Sequence, residues 1–204
     1  MKPVYGIEVK LLKTIFHLIG LLAFTWLIYT IYTQNFSADP SKDIQHFTGI
    51  TTLRLLIILA LIPMAAFCLK LNTLFQVRKL LGLWCFFWAN LHLASYLLLE
   101  IGWENITFFF SEVFSRTYLI IGALCWIILL LMAISSFDWL KNKFNQEWKR
   151  IHSLFYPLLL LVCIHYFLSL KSPTPEPIIY LIIIGLTYLF RFWQQKKKNK
   201  STNI

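Results

Sequence analysis

The sequence predicts an all-α integral membrane protein, a bundle of six transmembrane helices with both termini cytoplasmic. Three observations lead there. The chain of 204 residues is 58% hydrophobic and only 14% charged, whereas about a quarter of the residues of soluble domains are charged. Six apolar runs each approach the ~20 residues that cross a hydrocarbon core. Finally, the basic residues fall almost entirely on one side of the topology those runs define.

The runs cover 14–33, 53–69, 80–101, 117–137, 153–170 and 178–193. The first is too long for a signal-peptide core and no small-residue cleavage site follows it, so it is expected to stay as a helix. An external loop over 34–52 separates it from the second. That second run contains Pro63 and the fifth contains Pro157; membrane helices tolerate such residues where neighbours satisfy the freed carbonyl. Ser172-Pro173-Thr174-Pro175-Glu176-Pro177 forms a rigid external turn between the fifth run and the sixth, which is the shortest.

With six crossings, the termini and the second and fourth loops share one side. That side holds 15 of the 19 basic residues, leaving only Lys42, Arg54, Arg116 and Lys171 on the other. The positive-inside rule makes it cytoplasmic. The net charge of +10 is therefore a topology signal rather than a nucleic-acid footprint, and Lys196–Lys198 is expected at anionic lipid head groups. Cys68, Cys85, Cys125 and Cys163 all lie in predicted spans without a CxxC pair, which suits packing rather than disulfides or zinc. There is no GxGxxG or Walker pattern and no predicted soluble domain, so electrons or substrates must come from other molecules. No inverted repeat of the transporter kind is visible.

Ionisable groups inside a bilayer mark functional sites, and two histidines stand out. His92 lies 13 residues beyond Lys79 and His165 lies 15 beyond Arg150, on helices running the same way. At 1.5 Å per residue both sit about 20 Å from the cytoplasmic charges. Two neutral imidazoles at matched depth can ligate a haem iron from opposite faces. The plainer alternative is a pair of interhelical hydrogen bonds, worth about 0.6 kcal/mol each.

A second site is expected nearer the cytoplasm. His152 precedes His165 by 13 residues, about 140° around an ideal helix, and a kink at Pro157 can re-aim it. Arg78 precedes His92 by 14 residues and shares its face. With Lys79, Lys149 and Arg150 it surrounds His152 with cations suited to haem propionates or a flavin mononucleotide phosphate; ordinary cytoplasmic loop charge is the alternative. His17 lies at the level of His152 and either borders that site or packs at the interface. Arg54 opens the second span, positioned for an outer haem propionate or for interface anchoring. Trp84, Trp88 and Tyr96 follow the His92 face as candidate pocket walls, with an interfacial aromatic belt an equal account of Trp84, and His46 reads as a solvated loop residue.

The segment Ala38-Asp39-Pro40-Ser41-Lys42-Asp43-Ile44-Gln45-His46-Phe47-Thr48-Gly49 resembles an external signature of the MsrQ family. So do Arg78-Lys79-Leu80-Leu81-Gly82-Leu83-Trp84 with Leu91-His92 and Ser95-Tyr96, and Trp148 through His152 with Ile164-His165-Tyr166. Members are haem-binding membrane subunits of bacterial protein-methionine-sulfoxide reductases, among the ferric-reductase-like transmembrane proteins. The resemblance covers essentially the whole chain. It implies one such domain over 1–204 in the bacterial inner membrane, with b-type haem and flavin mononucleotide (FMN). It also implies electron transfer from a cytosolic flavin reductase or quinol to MsrP, a periplasmic molybdopterin enzyme that reduces methionine sulfoxide in oxidised proteins. The chain would then have no substrate-reducing site of its own. His92 and His165 match the family's haem-ligand positions and His152 its third histidine. Arg78 stands where the related NADPH oxidases carry a fourth, so His152 is open to a second haem or to another inner cofactor. Two other readings compete: a stand-alone metalloreductase or oxidase using the same haem, and a transporter or scaffold with a histidine-lined path.

Overall fold

A computed structural model describes residues 2–202 apart from 144, 171 and 173, and most of the described residues are helical, with no strand among them. Lys171 and Pro173, in and beside the expected external turn, thus lie outside the described residues. Six stretches are long and apolar enough to cross a membrane: Glu8–Thr33, Pro40–Leu69, Asn72–Ile101, Thr117–Ser135, Gln146–Ser169 and Glu176–Lys197. Six crossings return the chain to the end of the bundle where it started.

Helix α1, Lys2–Thr33, lies on the outside, with Leu22, Trp26 and Tyr32 exposed where lipid would cover them. It closes on the bundle at Gly20, where a Cβ would come within 2.6 Å of the Trp84 indole. Small residues of this kind let membrane helices approach. Helix α2 spans Pro40–Leu69 and starts well before its apolar run, inside the expected loop. The cause is local: the Asp39 side chain caps the helix by accepting from the Lys42 N–H at 3.2 Å, and Pro40 takes the first helical turn, where its missing N–H costs nothing.

A 3₁₀ segment, Asn72–Val77, leads into α3, Arg78–Ser95, which a wide π-helical turn extends to Ile101. The short helix α4, Ile106–Ser115, then occupies what the sequence left as a connection. Phe108, Phe110 and Phe114 stand exposed on it. Helix α5, Thr117–Ser135, returns across the bundle to two short helices, α6 (Asp138–Lys143) and α7 (Asn145–Ser153). Helices α8, Phe155–Ser169, and α9, Glu176–Thr202, complete the fold.

The break between α7 and α8 falls at Leu154, three residues before Pro157. Proline removes an N–H and its ring clashes with the carbonyl four residues back, here that of Ser153. The expected disturbance at Pro157 is thus a helix interruption.

Helices α2, α3, α5 and α8 form the centre, with α1 against α2 and α3 and with α9 against α2 and α8. Leu56, Leu81, Cys85, Trp88, Leu158 and Cys163 are all almost wholly buried there. A polar tie joins α5 to α3, where the Trp126 indole N–H donates to Asn90 Oδ1 at 3.2 Å.

A paired-histidine candidate site

His92 on α3 and His165 on α8 face each other across the centre of the bundle. Their ring centroids are 6.2 Å apart and their planes meet at 82°. Nδ1 of His92 lies 3.0 Å from the Gln45 carbonyl and 3.4 Å from the Thr48 hydroxyl. Nδ1 of His165 lies 2.7 Å from the Tyr118 carbonyl. A carbonyl only accepts, so in each ring Nδ1 carries the proton and Nε2 keeps its lone pair. That is the tautomer a metal-binding imidazole needs, held by an outer hydrogen bond.

Both seats are built alike. Gln45 and Gly49 precede His92 by the same intervals at which Tyr118 and Gly122 precede His165, a parallel offset of 73 residues. A Cβ on Gly49 would lie 3.0 Å from Cε1 of His92, and one on Gly122 would lie 2.7 Å from Cε1 of His165. Each ring therefore rests on the backbone of the preceding long helix, α2 or α5.

The spacing fits an iron held from two sides. With a metal–imidazole bond of about 2.0 Å and a nitrogen about 1.1 Å from its ring centroid, opposed axial imidazoles have centroids about 6 Å apart. Among the described residues no group of three or more His, Cys, Asp or Glu side chains converges as a bare-ion site. Two histidines alone suit a metal whose remaining ligands come from a macrocycle.

A second cluster lies toward the end that carries the termini. Nε2 of His152 is 3.2 Å from the Ser135 hydroxyl, which itself donates to the Met132 carbonyl at 3.1 Å. The Trp148 ring lies against His152 with centroids 4.5 Å apart and planes tilted by 36°, and Lys141 sits over that indole. Arg78 and Lys141 lie within electrostatic reach of His152. Lys79 instead pairs with Asp138 at 3.0 Å.

The remaining candidates are dispersed. Arg54 Nε donates to the Tyr180 hydroxyl at 3.1 Å, and nearby Tyr166 donates to Glu176 at 2.7 Å. His46 is exposed on α2, its ring 6.2 Å from that of Tyr166. His17 meets the edge of Trp84 at 6.1 Å. Trp88 is buried against Phe24 and Phe47, and Tyr96 packs on Phe109 of α4. The indole N–H groups of Trp84 and Trp88 are buried with no hydrogen-bond partner among the described residues.

Sequence reasoning missed Gln45, Thr48, Gly49, Tyr118, Gly122 and Ser135. Backbone carbonyls and glycines leave no side-chain signature. The equal spacing from glycine to histidine in the two halves was the one signal available.

The family model for ferric reductase like transmembrane components matches residues 48–163, from the Thr48 turn of α2 to Cys163 on α8. Similar curated proteins extend the match over nearly the whole chain. The "Protein-methionine-sulfoxide reductase heme-binding subunit MsrQ" of Pectobacterium carotovorum subsp. carotovorum (strain PC1) is 43% identical over 181 residues, covering 89% of this chain and 91% of the relative. The protein of the same name from Klebsiella pneumoniae (strain 342) is 43% identical, covering 91% and 93%. That from Salmonella arizonae is 42% identical, covering 90% and 95%.

Proposed function

This chain belongs to the ferric-reductase-like transmembrane family and, within it, to the MsrQ heme-binding subunits, and from that membership we propose that it is a haem-binding membrane electron carrier. It takes electrons from a cytosolic flavin reductase or from quinol and delivers them to periplasmic MsrP, which reduces methionine sulfoxide. The basic end of the bundle, with both termini, faces the cytoplasm of a bacterial inner membrane.

The facing pair of imidazoles carries this reading. His92 and His165 would hold a b-type haem through the lone pairs of their Nε2 atoms. When bound, the haem supplies one-electron redox chemistry within a low-dielectric bundle. The protein fixes both tautomers through the Gln45 and Tyr118 carbonyls, which also makes each Nε2 a stronger donor. The test is a reduced-minus-oxidised visible spectrum of purified protein with a haem assay on the same sample. A sharp low-spin b-type signal is expected; colourless protein made with ample haem supply would sink the reading.

At the inner cluster, Arg78, Lys141 and His152 bind the phosphate of FMN. The cations supply charge-assisted hydrogen bonds. The Ser135 hydroxyl gives its proton to Met132 and so accepts from Nε2–H of His152, which engages the nitrogen that would otherwise be open to an iron. Flavin retained by the wild type and lost on changing these residues supports the assignment.

The ferric-reductase family match favours one other reading, direct reduction of ferric chelates at the outer face. Stopped-flow reoxidation separates the two. A carrier for MsrP reoxidises on adding that protein, whereas a metalloreductase does so with ferric chelate alone.

A further inference from the structure

In an α-helix a side chain covers the turn before its own Cα, and with it the carbonyl four residues back. Gly49 and Gly122 stand four residues after Gln45 and Tyr118, the two residues whose carbonyls accept from the facing histidines. Having no side chain, each glycine uncovers that carbonyl and lets the imidazole reach it. The same device occurs twice at the same spacing on different helix pairs.

We propose that Gly49 and Gly122 are positioning residues, which seat His92 and His165 on bare helix backbone and so lock the two imidazole planes nearly perpendicular. The inference rests on the reading of both histidines as axial ligands of a haem.

The consequence is electronic. Each ring plane is set by its own Nδ1 bond, and the two bonds run to different helices, so the 82° angle belongs to the scaffold. Perpendicular axial imidazoles leave the two π-type orbitals of a low-spin ferric iron nearly degenerate, which produces a strongly anisotropic electron paramagnetic resonance (EPR) signal. Nδ1 hydrogen bonds strengthen the nitrogen donors and favour the ferric state.

Alanine replacement should act unequally at the two positions. A methyl group on Gly122 would meet Cε1 of His165 at 2.7 Å and Nδ1 at 3.0 Å, so the ring must turn or leave Tyr118. On Gly49 the nearest approaches are 3.0 and 3.1 Å, and a smaller tilt relieves them. Gly82, on the same helix as His92, faces open space and serves as the control.

The experiment is low-temperature EPR and a potentiometric titration on haem-loaded full-length protein, comparing wild type with G122A, G49A and G82A. Wild type should give a highly anisotropic low-spin signal. G122A should lower its largest g value and raise the midpoint potential. G49A should do the same to a lesser degree, and G82A should do neither. An unchanged signal and potential in both G122A and G49A would overturn the proposal; if G122A fails to fold, G49A decides. A wild type with bound haem but no bis-histidine low-spin signal would defeat the ligand assignment itself, a separate failure.

Discussion

The Nδ1–H of His165 donates to the Tyr118 carbonyl at 2.7 Å, tying the imidazole of α8 to the first turn of α5. His92 is tied to α2 in the same way at 3.0 Å. The pair is thus oriented before any metal binds, which lowers the ordering cost of ligation.

If both rings ligate one iron, alanine and methionine replacements should differ in kind. His165→Ala is expected to abolish the low-spin haem spectrum, as is His92→Ala. His165→Met supplies a thioether instead and should retain low-spin haem at a raised midpoint potential, since methionine–histidine ligation favours the ferrous state. Redox titration of the purified variants checks both. A full wild-type spectrum in either alanine variant would remove that histidine from the site.

Arg78 tests the inner cluster without touching the pair. Arg78→Ala should keep the haem spectrum and weaken FMN retention by about tenfold or more, given roughly 1.5–3 kcal/mol for a hydrogen bond to a charged group. Reduction from the side carrying the termini should slow accordingly. Flavin content and stopped-flow reduction are the measurements. Loss of haem instead would place Arg78 at the paired site.

His152 separates a flavin site from a second haem. Its Nε2 is engaged by Ser135, so His152→Ala should leave the haem-to-protein ratio unchanged and reduce bound flavin. Ser135→Ala should cost only about 0.6 kcal/mol of stability, the usual scale for an interhelical hydrogen bond in a membrane. A haem ratio halved by His152→Ala would identify it as an iron ligand.

The sequence revealed the spans more readily than the seats within them. Long apolar runs and the skewed basic residues announce six crossings, and matched depth singles out His92 and His165. The start of α2 stayed hidden because Lys42, Asp43, Gln45 and His46 interrupt the apolar pattern, although Asp39-Pro40 is a helix-start signature. Helix α4 was missed because its 10 residues are too short to span a membrane. The carbonyls that seat His92 and His165 are main-chain atoms of Gln45 and Tyr118, which no pattern of side chains records. The disturbance expected at Pro157 was legible because proline acts on its own backbone.

Arg54 offers the sharpest test of what the outer end contributes. Its Nε donates to Tyr180 at 3.1 Å, with Tyr166 and Glu176 close by. If its charge stabilises a nearby haem, Arg54→Gln should lower the midpoint potential by on the order of tens of millivolts, because losing a cation disfavours the more negative ferrous state. Tyr180→Phe removes the hydrogen bond but keeps the charge, so its potential should stay at the wild-type value. Redox titration of the two variants separates charge from hydrogen bonding. Equal potentials in wild type and Arg54→Gln would leave Arg54 as an interface anchor tied to α9.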